Sequence, residues 1–201
     1  YAVDSVDQGK AACKAALQSR MGLPTRPRTP LLGMISRMTD QKGFDLITDA
    51  ADRLLSQDIQ IVFLGTGDPM YEDRIRQLAH KYSEKVTVVI GFDDPLAHQI
   101  ESGSDLFLMP SRFEPCGLNQ MYSLRYGTVP IVREVGGLAD SVINFVPANA
   151  EIATGFVFRD YQSDVFAETV ERALSLYRQT DVWRQVVRNG MMKDWSWKAS
   201  A

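Results

Sequence analysis

The stretch SRFEPCGLNQMYSLRYGTVPIVREVGGLADSV covers residues 111–142 of this 201-residue sequence and combines an acidic residue with two glycine turns. Pro115 disfavours helical backbone angles at Glu114, so we expect the carboxylate to stand clear of the helix that the pattern predicts from Gly117 onward. The first N–H groups of a helix lack partners within it, and here they would lie beside the carboxylate. Together these groups could bind a polyhydroxylated ligand. The alternative is that Glu114 only caps its own helix.

Two cations follow an earlier apolar segment. Arg37 and Lys42, in SRMTDQKGF, are five residues apart, and Gly43 begins the next predicted helix. Positive side chains beside a helix N-terminus, whose partial charge has the same sign, form a site for an anion such as a diphosphate. An ordinary solvated loop is the alternative interpretation.

Glycine turns follow two further apolar segments. LGTGDP contains Gly65 and Gly67, and REVGGLADSV contains Gly136 and Gly137. Glycine lets a ligand approach the backbone closely, and both turns precede predicted helices, so each could bind phosphate oxygens. Tight strand-to-helix packing would also explain either turn. A dinucleotide fingerprint needs a third glycine where Met70 stands, so the sequence disfavours a nicotinamide-dependent oxidoreductase.

An aromatic residue and a thiol complete the set of candidates. Phe92, in GFDD, could stack on a base, although a partly buried core aromatic would give the same pattern. Cys116 is not predicted to be a nucleophile, because neither His80 nor His98 lies near it in the sequence to activate it. Its backbone N–H is the part that we expect to matter. Cys13 and Cys116 show no disulfide or zinc spacing.

Alternating apolar and amphipathic segments indicate how these turns are arranged. The predicted strands are 31–36, 59–64, 86–90, 105–110, 129–132 and 155–158, and the predicted helices include 5–20, 44–55 and 165–177. Such alternation is typical of βαβ units, and strands that are apolar throughout are covered on both faces. We therefore predict an α/β fold, a Rossmann-like doubly wound parallel sheet of about six strands with helices on both faces. Ligands bind such sheets at the carboxyl ends of the strands, where these turns would meet.

Composition limits the class of partner. The chain has 22 Lys and Arg against 25 Asp and Glu, a net charge of −3, which disfavours a nucleic-acid partner. No apolar run approaches the roughly 18 residues of a membrane span, so no membrane partner is expected. The beginning, YAVDSVDQGK, does not resemble a signal peptide, and we expect the chain to be a piece of a longer protein.

Five motifs together resemble the C-terminal half of bacterial glycogen synthases and plastidial starch synthases. They are GKAACKAALQSRMGLP, SRMTDQKGFDL, LGTGDP, the 111–142 stretch and DWSWKAS. The resemblance implies a retaining glycosyltransferase of the two-domain GT-B architecture, which transfers glucose from ADP-glucose or UDP-glucose to the non-reducing end of an α-1,4-glucan. It also implies that no metal or other cofactor is used. Residues 1–30 would be an N-terminal helix and linker, and residues 31–201 the domain that binds the nucleotide sugar.

The resemblance also assigns roles to the residues at the strand ends. Arg37 and Lys42 would bind the diphosphate and stabilise it as it leaves, and Glu114 would contact the donor glucose, so these three are the predicted catalytic residues. Phe92 would stack on the base, and Asn119 would lie near the phosphates. The predicted substrate-binding residues are Gly65, Gly67, Phe92, Cys116, Gly117, Leu118, Asn119, Tyr122, Gly136 and Gly137.

One departure and one missing part qualify the resemblance. Tyr122 stands where many related retaining enzymes have a second glutamate, which favours the glycogen and starch synthases over relatives similar to sucrose synthase. An N-terminal acceptor domain, absent from this chain, would supply most of the acceptor site, so we expect the fragment to be inactive alone. The bacterial cytoplasm or the plastid stroma is the expected location. Another GT-B glycosyltransferase, a sugar phosphorylase, a nucleotide-sugar epimerase and a noncatalytic glucan-binding module remain alternatives.

Overall fold

A six-stranded parallel sheet forms the centre of the protein in a computed structural model that describes residues 1–194. The strands are β1 (Leu31–Ile35), β2 (Gln60–Gly65), β3 (Val86–Ile90), β4 (Leu106–Met109), β5 (Val129–Arg133) and β6 (Phe156–Phe158). Their order across the sheet is β3-β2-β1-β4-β5-β6. All six predicted strands are thus confirmed. Most of the DWSWKAS motif lies outside the described residues.

Eight α-helices connect and cover the strands. They are α1 (Val6–Arg20), α2 (Phe44–Leu55), α3 (Pro69–Lys81), α4 (Asp94–Gly103), α5 (Asn119–Arg125), α6 (Gly136–Ser141), α7 (Ser163–Tyr177) and α8 (Thr180–Met192) among the residues described. Local sequence explains several helix starts. For example, Asp68 accepts a hydrogen bond from the Met70 N–H at 2.8 Å, and Pro69 occupies the first helical position.

The sheet has an apolar core on each face, as a doubly wound fold requires. One core contains Phe44, Phe63 and Phe166, and the other contains Leu31 and Phe107, all at most 1% exposed. Each strand contributes side chains to alternate faces, so its residues are apolar throughout rather than at every second position. The predicted fold class, with helices on both faces, is confirmed.

The first helix is packed onto this body. The buried Lys14 of α1 donates to Asp105 at 2.6 Å, and Gln18 donates to Gln60 at 2.6 Å. Both partners lie at the beginnings of strands, since Asp105 immediately precedes β4 and Gln60 opens β2. Hydrogen-bonded polar side chains therefore anchor α1 at the amino edge of the sheet, opposite the edge where ligands are expected.

The sheet order places a crevice between two central strands. The chain runs outward from β1 through β2 to β3, then returns so that β4 pairs beside β1, with Leu32 opposite Leu106. The loops leaving β1 and β4 therefore begin side by side, at the point where the strand order reverses. This reversal is the place where open parallel sheets bind ligands.

Candidate functional site

Two neighbouring cavities open at the carboxyl edge of the sheet. The smaller has a volume of about 110 Å³, and the larger has a volume of about 260 Å³. Ile35, Ser36 and Asn119 line both of them. The side-chain amide of Asn119 donates to the Ile35 carbonyl at 3.0 Å, which fixes the start of α5 against the end of β1. The two cavities are therefore parts of one cleft.

The smaller cavity contains two of the predicted catalytic residues. Lys42 and Glu114 form an ion pair within it, and the Ser111 hydroxyl donates to the same carboxylate at 3.3 Å. Glu114 is buried, with 9% of its surface exposed. A buried carboxylate needs such partners, because removing it from water is costly. The arrangement holds a negative and a positive group side by side at the end of β4.

Backbone amides form another wall of this cavity. Within the described part of the chain, the N–H groups of Cys116, Gly117 and Leu118 have no protein acceptor. Gly117 has a φ of 71°, which favours glycine. The prediction that the helix opens at Gly117 is wrong, since this left-handed residue delays the start of α5 to Asn119. The amides remain free to donate to a ligand.

The larger cavity lies beside the smaller one and is lined by Arg37, Gly65, Thr66 and Phe92, among others. The Phe92 ring is 92% exposed, so the alternative of a partly buried core aromatic is wrong. Asp93 follows it and accepts from Arg20 of α1 at 2.9 Å. An exposed ring on an anchored turn provides a flat apolar surface for a planar group.

The Gly65–Gly67 turn allows two strand-end loops to lie close together. A Cβ atom on Gly65 would sit 1.8 Å from the Ser36 carbonyl oxygen, and one on Gly67 would sit 2.4 Å from that of Met38. The Gly67 N–H is already occupied, because it donates to Glu72 at 2.9 Å. This bond, followed by one from Thr66, lowers the pKa of Glu72. Gly65 lines the larger cavity, whereas Gly67 serves the packing of the turn.

The Gly136–Gly137 turn supports the loop that carries Glu114. A Cβ on Gly136 would lie 2.1 Å from the Glu114 carbonyl oxygen, and one on Gly137 would lie 2.0 Å from that of Cys116. The Gly137 N–H donates to the Glu114 carbonyl at 3.2 Å. Among the described residues that line the two cavities, neither glycine is present. Close packing against the Glu114 loop therefore accounts for this turn.

Two other predicted residues lie outside the linings of the two cavities. Cys116 is an exposed free thiol, and the Tyr122 side chain is 47% exposed on α5. Neither is one of the described residues that line the cavities. Their predicted contacts with a substrate thus remain predictions, as do the roles of the other candidate residues.

Sequence reasoning missed a cluster that holds the loop before Glu114. Arg112 donates to Asp45 at 2.9 Å, and its guanidinium lies 4.1 Å from the centre of the Tyr161 ring. Arg133 stacks on the same ring at 5.3 Å and donates to the Arg112 carbonyl at 2.7 Å. These residues come from four separate segments, so no local pattern indicates their association. They fix the loop on one side.

Gln120 holds the other side of the loop and was also missed. Its side chain is fully buried and donates to the Gly117 carbonyl at 3.1 Å and to the Ser141 hydroxyl at 3.2 Å. A polar residue in the first turn of a short helix was the only signal in the sequence.

Among residues 1–194, no three His, Cys, Asp or Glu side chains come together as metal ligands would. No helix in the described part is long and apolar enough to cross a membrane.

Comparison with known proteins identifies sequences and structures similar to this one. The sequence model of the family described as "Glycosyl transferases group 1" matches residues 18–189. A glycogen synthase of Anaeromyxobacter dehalogenans is 53% identical over 193 residues, which cover 96% of this chain and 40% of that protein. Glycogen synthase 1 of Methylococcus capsulatus is 50% identical over 203 residues, which cover 100% of this chain and 41% of its own length. The chain thus spans about two fifths of these relatives.

Solved structures show the same fold. The catalytic domain of starch synthase IV from Arabidopsis thaliana, bound to ADP and acarbose, superposes with a TM-score of 0.91 at 35% identity, over 100% of this chain and 42% of the other. Sucrose-phosphate synthase from Thermosynechococcus elongatus superposes with a TM-score of 0.69 at 23% identity, over 92% of this chain and 45% of the other. The latter likeness concerns the fold alone.

Proposed function

Because the chain belongs to the group 1 glycosyl transferases and corresponds to the C-terminal domain of glycogen and starch synthases, we propose that it binds the activated sugar in a glucosyl transfer. The donor is ADP-glucose or UDP-glucose, and the acceptor is the non-reducing end of an α-1,4-glucan. Transfer proceeds with retention at the anomeric carbon. The relatives are bacterial glycogen synthases and a plant starch synthase, which supports the bacterial cytoplasm or the plastid stroma as the location.

The paired cavities are the observation that carries this proposal. Phe92 stands beside the larger cavity and can stack on the base, while Lys42 and Glu114 lie in the smaller one, where the sugar fits. Asn119 lines both, at the place where a diphosphate would join base and sugar. The related starch synthase IV structure holds ADP and acarbose, which supports the same kind of ligand here.

Ligand binding requires an exchange of partners in the smaller cavity. Lys42 is paired with Glu114, so its ammonium must turn to the diphosphate before it can stabilise that group. The freed carboxylate then accepts hydrogen bonds from glucose hydroxyls, and the amides of residues 116–118 donate to others. As the glycosidic bond to the diphosphate breaks, negative charge grows on the leaving oxygen, where Lys42 and Arg37 stabilise it.

The remaining parts of the reaction fall to the rest of the protein. The matched relatives are more than twice as long as this chain. We therefore assign acceptor binding to a further N-terminal domain, and we expect the isolated chain to bind nucleotides without transferring glucose.

Calorimetric titration of the isolated chain with ADP, UDP and their glucose conjugates tests the proposal. We expect saturable binding in the millimolar range or tighter for at least one nucleotide and its conjugate. A chain that binds maltooligosaccharide but none of the four nucleotides would instead be a noncatalytic glucan-binding module. With the full-length protein, products formed from ADP-glucose and a glucan primer distinguish glucosyl transfer from epimerisation or phosphorolysis.

A further inference from the structure

Gln41 links the two loops that carry the proposed catalytic residues. Its side-chain oxygen accepts from the Arg37 guanidinium at 3.2 Å, and its side-chain amide donates to the Phe113 carbonyl at 3.4 Å. Its backbone carbonyl accepts from the Arg112 N–H at 2.8 Å. Two of these bonds connect the loop after β1 with Arg112 and Phe113, and the third holds Arg37 within its own loop.

We propose that Gln41 is a positioning residue, which sets the Arg37 guanidinium relative to the Glu114 loop before a donor binds. The inference rests on the proposed function, because it takes Arg37 as a ligand of the diphosphate. Gln41 itself is half-buried and is not among the described residues that line the two cavities. Its effect on the ligand is therefore transmitted through Arg37.

The difference between the two cations supports this role. Lys42 is held by its ion pair with Glu114. Arg37 is exposed, and among residues 1–194 its guanidinium makes a side-chain hydrogen bond to Gln41 alone. A long side chain loses rotamer freedom when it binds a ligand, and a partner that already orders it reduces that loss. Gln41 supplies this order for Arg37.

The chemistry of glutamine suits the position. A neutral amide offers an acceptor for the guanidinium and a donor for the carbonyl at the same time. Glutamate keeps the acceptor but loses the donor, and it places a negative charge where the diphosphate is to bind. Leucine has nearly the same size and provides neither bond. These two replacements therefore separate the contribution of hydrogen bonding from that of charge.

Calorimetric titration of the full-length protein with ADP tests the proposal through a double-mutant cycle. The variants are Gln41→Leu, Arg37→Ala and the two combined. Gln185→Leu on α8 is the matched control, since Gln185 also makes a side-chain hydrogen bond, to Asn189 at 2.8 Å. We expect Gln41→Leu to weaken ADP binding roughly 3- to 10-fold and to have no further effect when Arg37 is already alanine.

The other outcomes overturn either the positioning role of Gln41 or the proposed function on which it rests. Equal weakening by Gln41→Leu in both backgrounds, or none in either, would overturn the positioning role while leaving the donor site intact. Full ADP affinity in Arg37→Ala would remove the premise, and no ADP binding by the unmodified protein would overturn the proposed function itself. If Gln41→Leu does not fold, Gln41→Glu takes its place in the same cycle, measured at high salt so that the added charge is screened, and an equal loss of ADP affinity with Arg37 intact and in the Arg37→Ala background would overturn the positioning role.

Discussion

The ammonium of Lys42 and the carboxylate of Glu114 are joined in an ion pair, although 72 positions separate the two residues in the chain. The pair exists because β1 and β4 are neighbours in the sheet, which brings the loops after them together. Both groups are proposed to contact the same donor molecule. The ligand and Glu114 therefore compete for Lys42, and the ligand and Lys42 compete for Glu114.

Glu114→Gln is expected to strengthen the binding of ADP to this chain. The substitution frees Lys42 from its partner, so the ammonium meets the diphosphate without first breaking an ion pair. We expect a gain of roughly 2- to 10-fold in ADP affinity, measured by calorimetry, because part of the pair's attraction is offset by solvent. The affinity for ADP-glucose should rise less, because its glucose also loses the proposed hydrogen bonds to the Glu114 carboxylate. Glu171→Gln is the control. It breaks the ion pair between Glu171 of α7 and Arg53 of α2 and should leave both affinities unchanged.

Lys42→Ala and Arg37→Ala are expected to lower turnover more than substrate affinity in the full-length enzyme. In the proposed reaction these charges meet a leaving group whose negative charge grows in the transition state, so their loss raises the barrier most at that point. We expect kcat to fall by about 100- to 1,000-fold for Lys42→Ala, as steady-state assays with ADP-glucose and a glucan primer would measure. Lys81→Ala removes a surface ion pair with Asp52 and should change neither kcat nor KM. Unchanged turnover in both site variants would contradict the assignment.

Phe92→Ala is expected to weaken nucleotide binding without destabilising the protein. The ring is 92% exposed, so its removal leaves no cavity in the core. Loss of stacking on a base corresponds to about 1–3 kcal/mol, or roughly 5- to 150-fold in affinity for ADP. Thermal unfolding should show the same Tm as the unmodified chain. Phe113→Ala, which also removes an exposed ring near the site, should affect ADP binding less, because Phe113 does not line the larger cavity.

Gly137→Ala is expected to disturb the Glu114 loop from outside the cavities. The new Cβ would lie 2.0 Å from the Cys116 carbonyl oxygen, so the backbone of the loop must move. We expect a loss of about 1–3 kcal/mol in the free energy of unfolding, together with weaker ADP binding. Gly190→Ala on α8 meets only the end of the Leu124 side chain at 2.7 Å, which can shift, and should cost less. Unfolding in urea and ADP titration of both variants measure the difference.

Glu101→Gln is expected to stabilise the protein at pH 8 but not at pH 5. Burial, followed by the charge of Asp94, raises the pKa of Glu101 from 4.5 to about 7, and His98 lies 3.7 Å away. The pKa of Glu101 is higher in the folded protein than in the unfolded chain. The neutral acid therefore stabilises the fold below about pH 4.5, and this stabilisation is lost as the pH rises through about 7. The amide removes this titration, which should add about 1–3 kcal/mol at pH 8.

Urea unfolding at the two pH values measures this effect. Glu168→Gln, at an exposed position of α7, is the control and should change the free energy of unfolding equally at both pH values. An equal effect of Glu101→Gln at pH 5 and pH 8 would show that ionisation of the buried carboxyl is not its cause.

The strands and the approximate place of the site could be predicted because they depend on local patterns. Apolar runs such as residues 59–64 identify buried strands, and the rule for carboxyl ends then brings Arg37, Lys42 and Glu114 to one edge. Helix α8 had no predicted counterpart, although Val186 and Met191 are buried on one of its faces. The apolar residues of this helix recur at helical spacing, so the sequence did carry the signal for it: Val182, Trp183, Val186, Val187 and Met191.

The supports of the site could not be predicted, since they depend on tertiary contacts. The Tyr161 ring meets Arg112 and Arg133, which are 49 and 28 positions earlier in the chain. Gly136 and Gly137 were interpreted as candidate phosphate-binding residues because a glycine turn before a helix suits both packing and anion binding. The packing role becomes visible only from the position of the Glu114 loop against these two glycines.

The sheet order also determines when the proposed nucleotide site can form during folding. Residues as far apart as Lys42 and Glu114 must meet, and the closure of such a long loop is slow because it costs entropy before any contact forms. A nascent chain that has been synthesised only as far as β3 holds both cations but has no carboxylate to pair with them. Acquisition of ADP binding would therefore report that synthesis has passed α6 and that the central strands have closed.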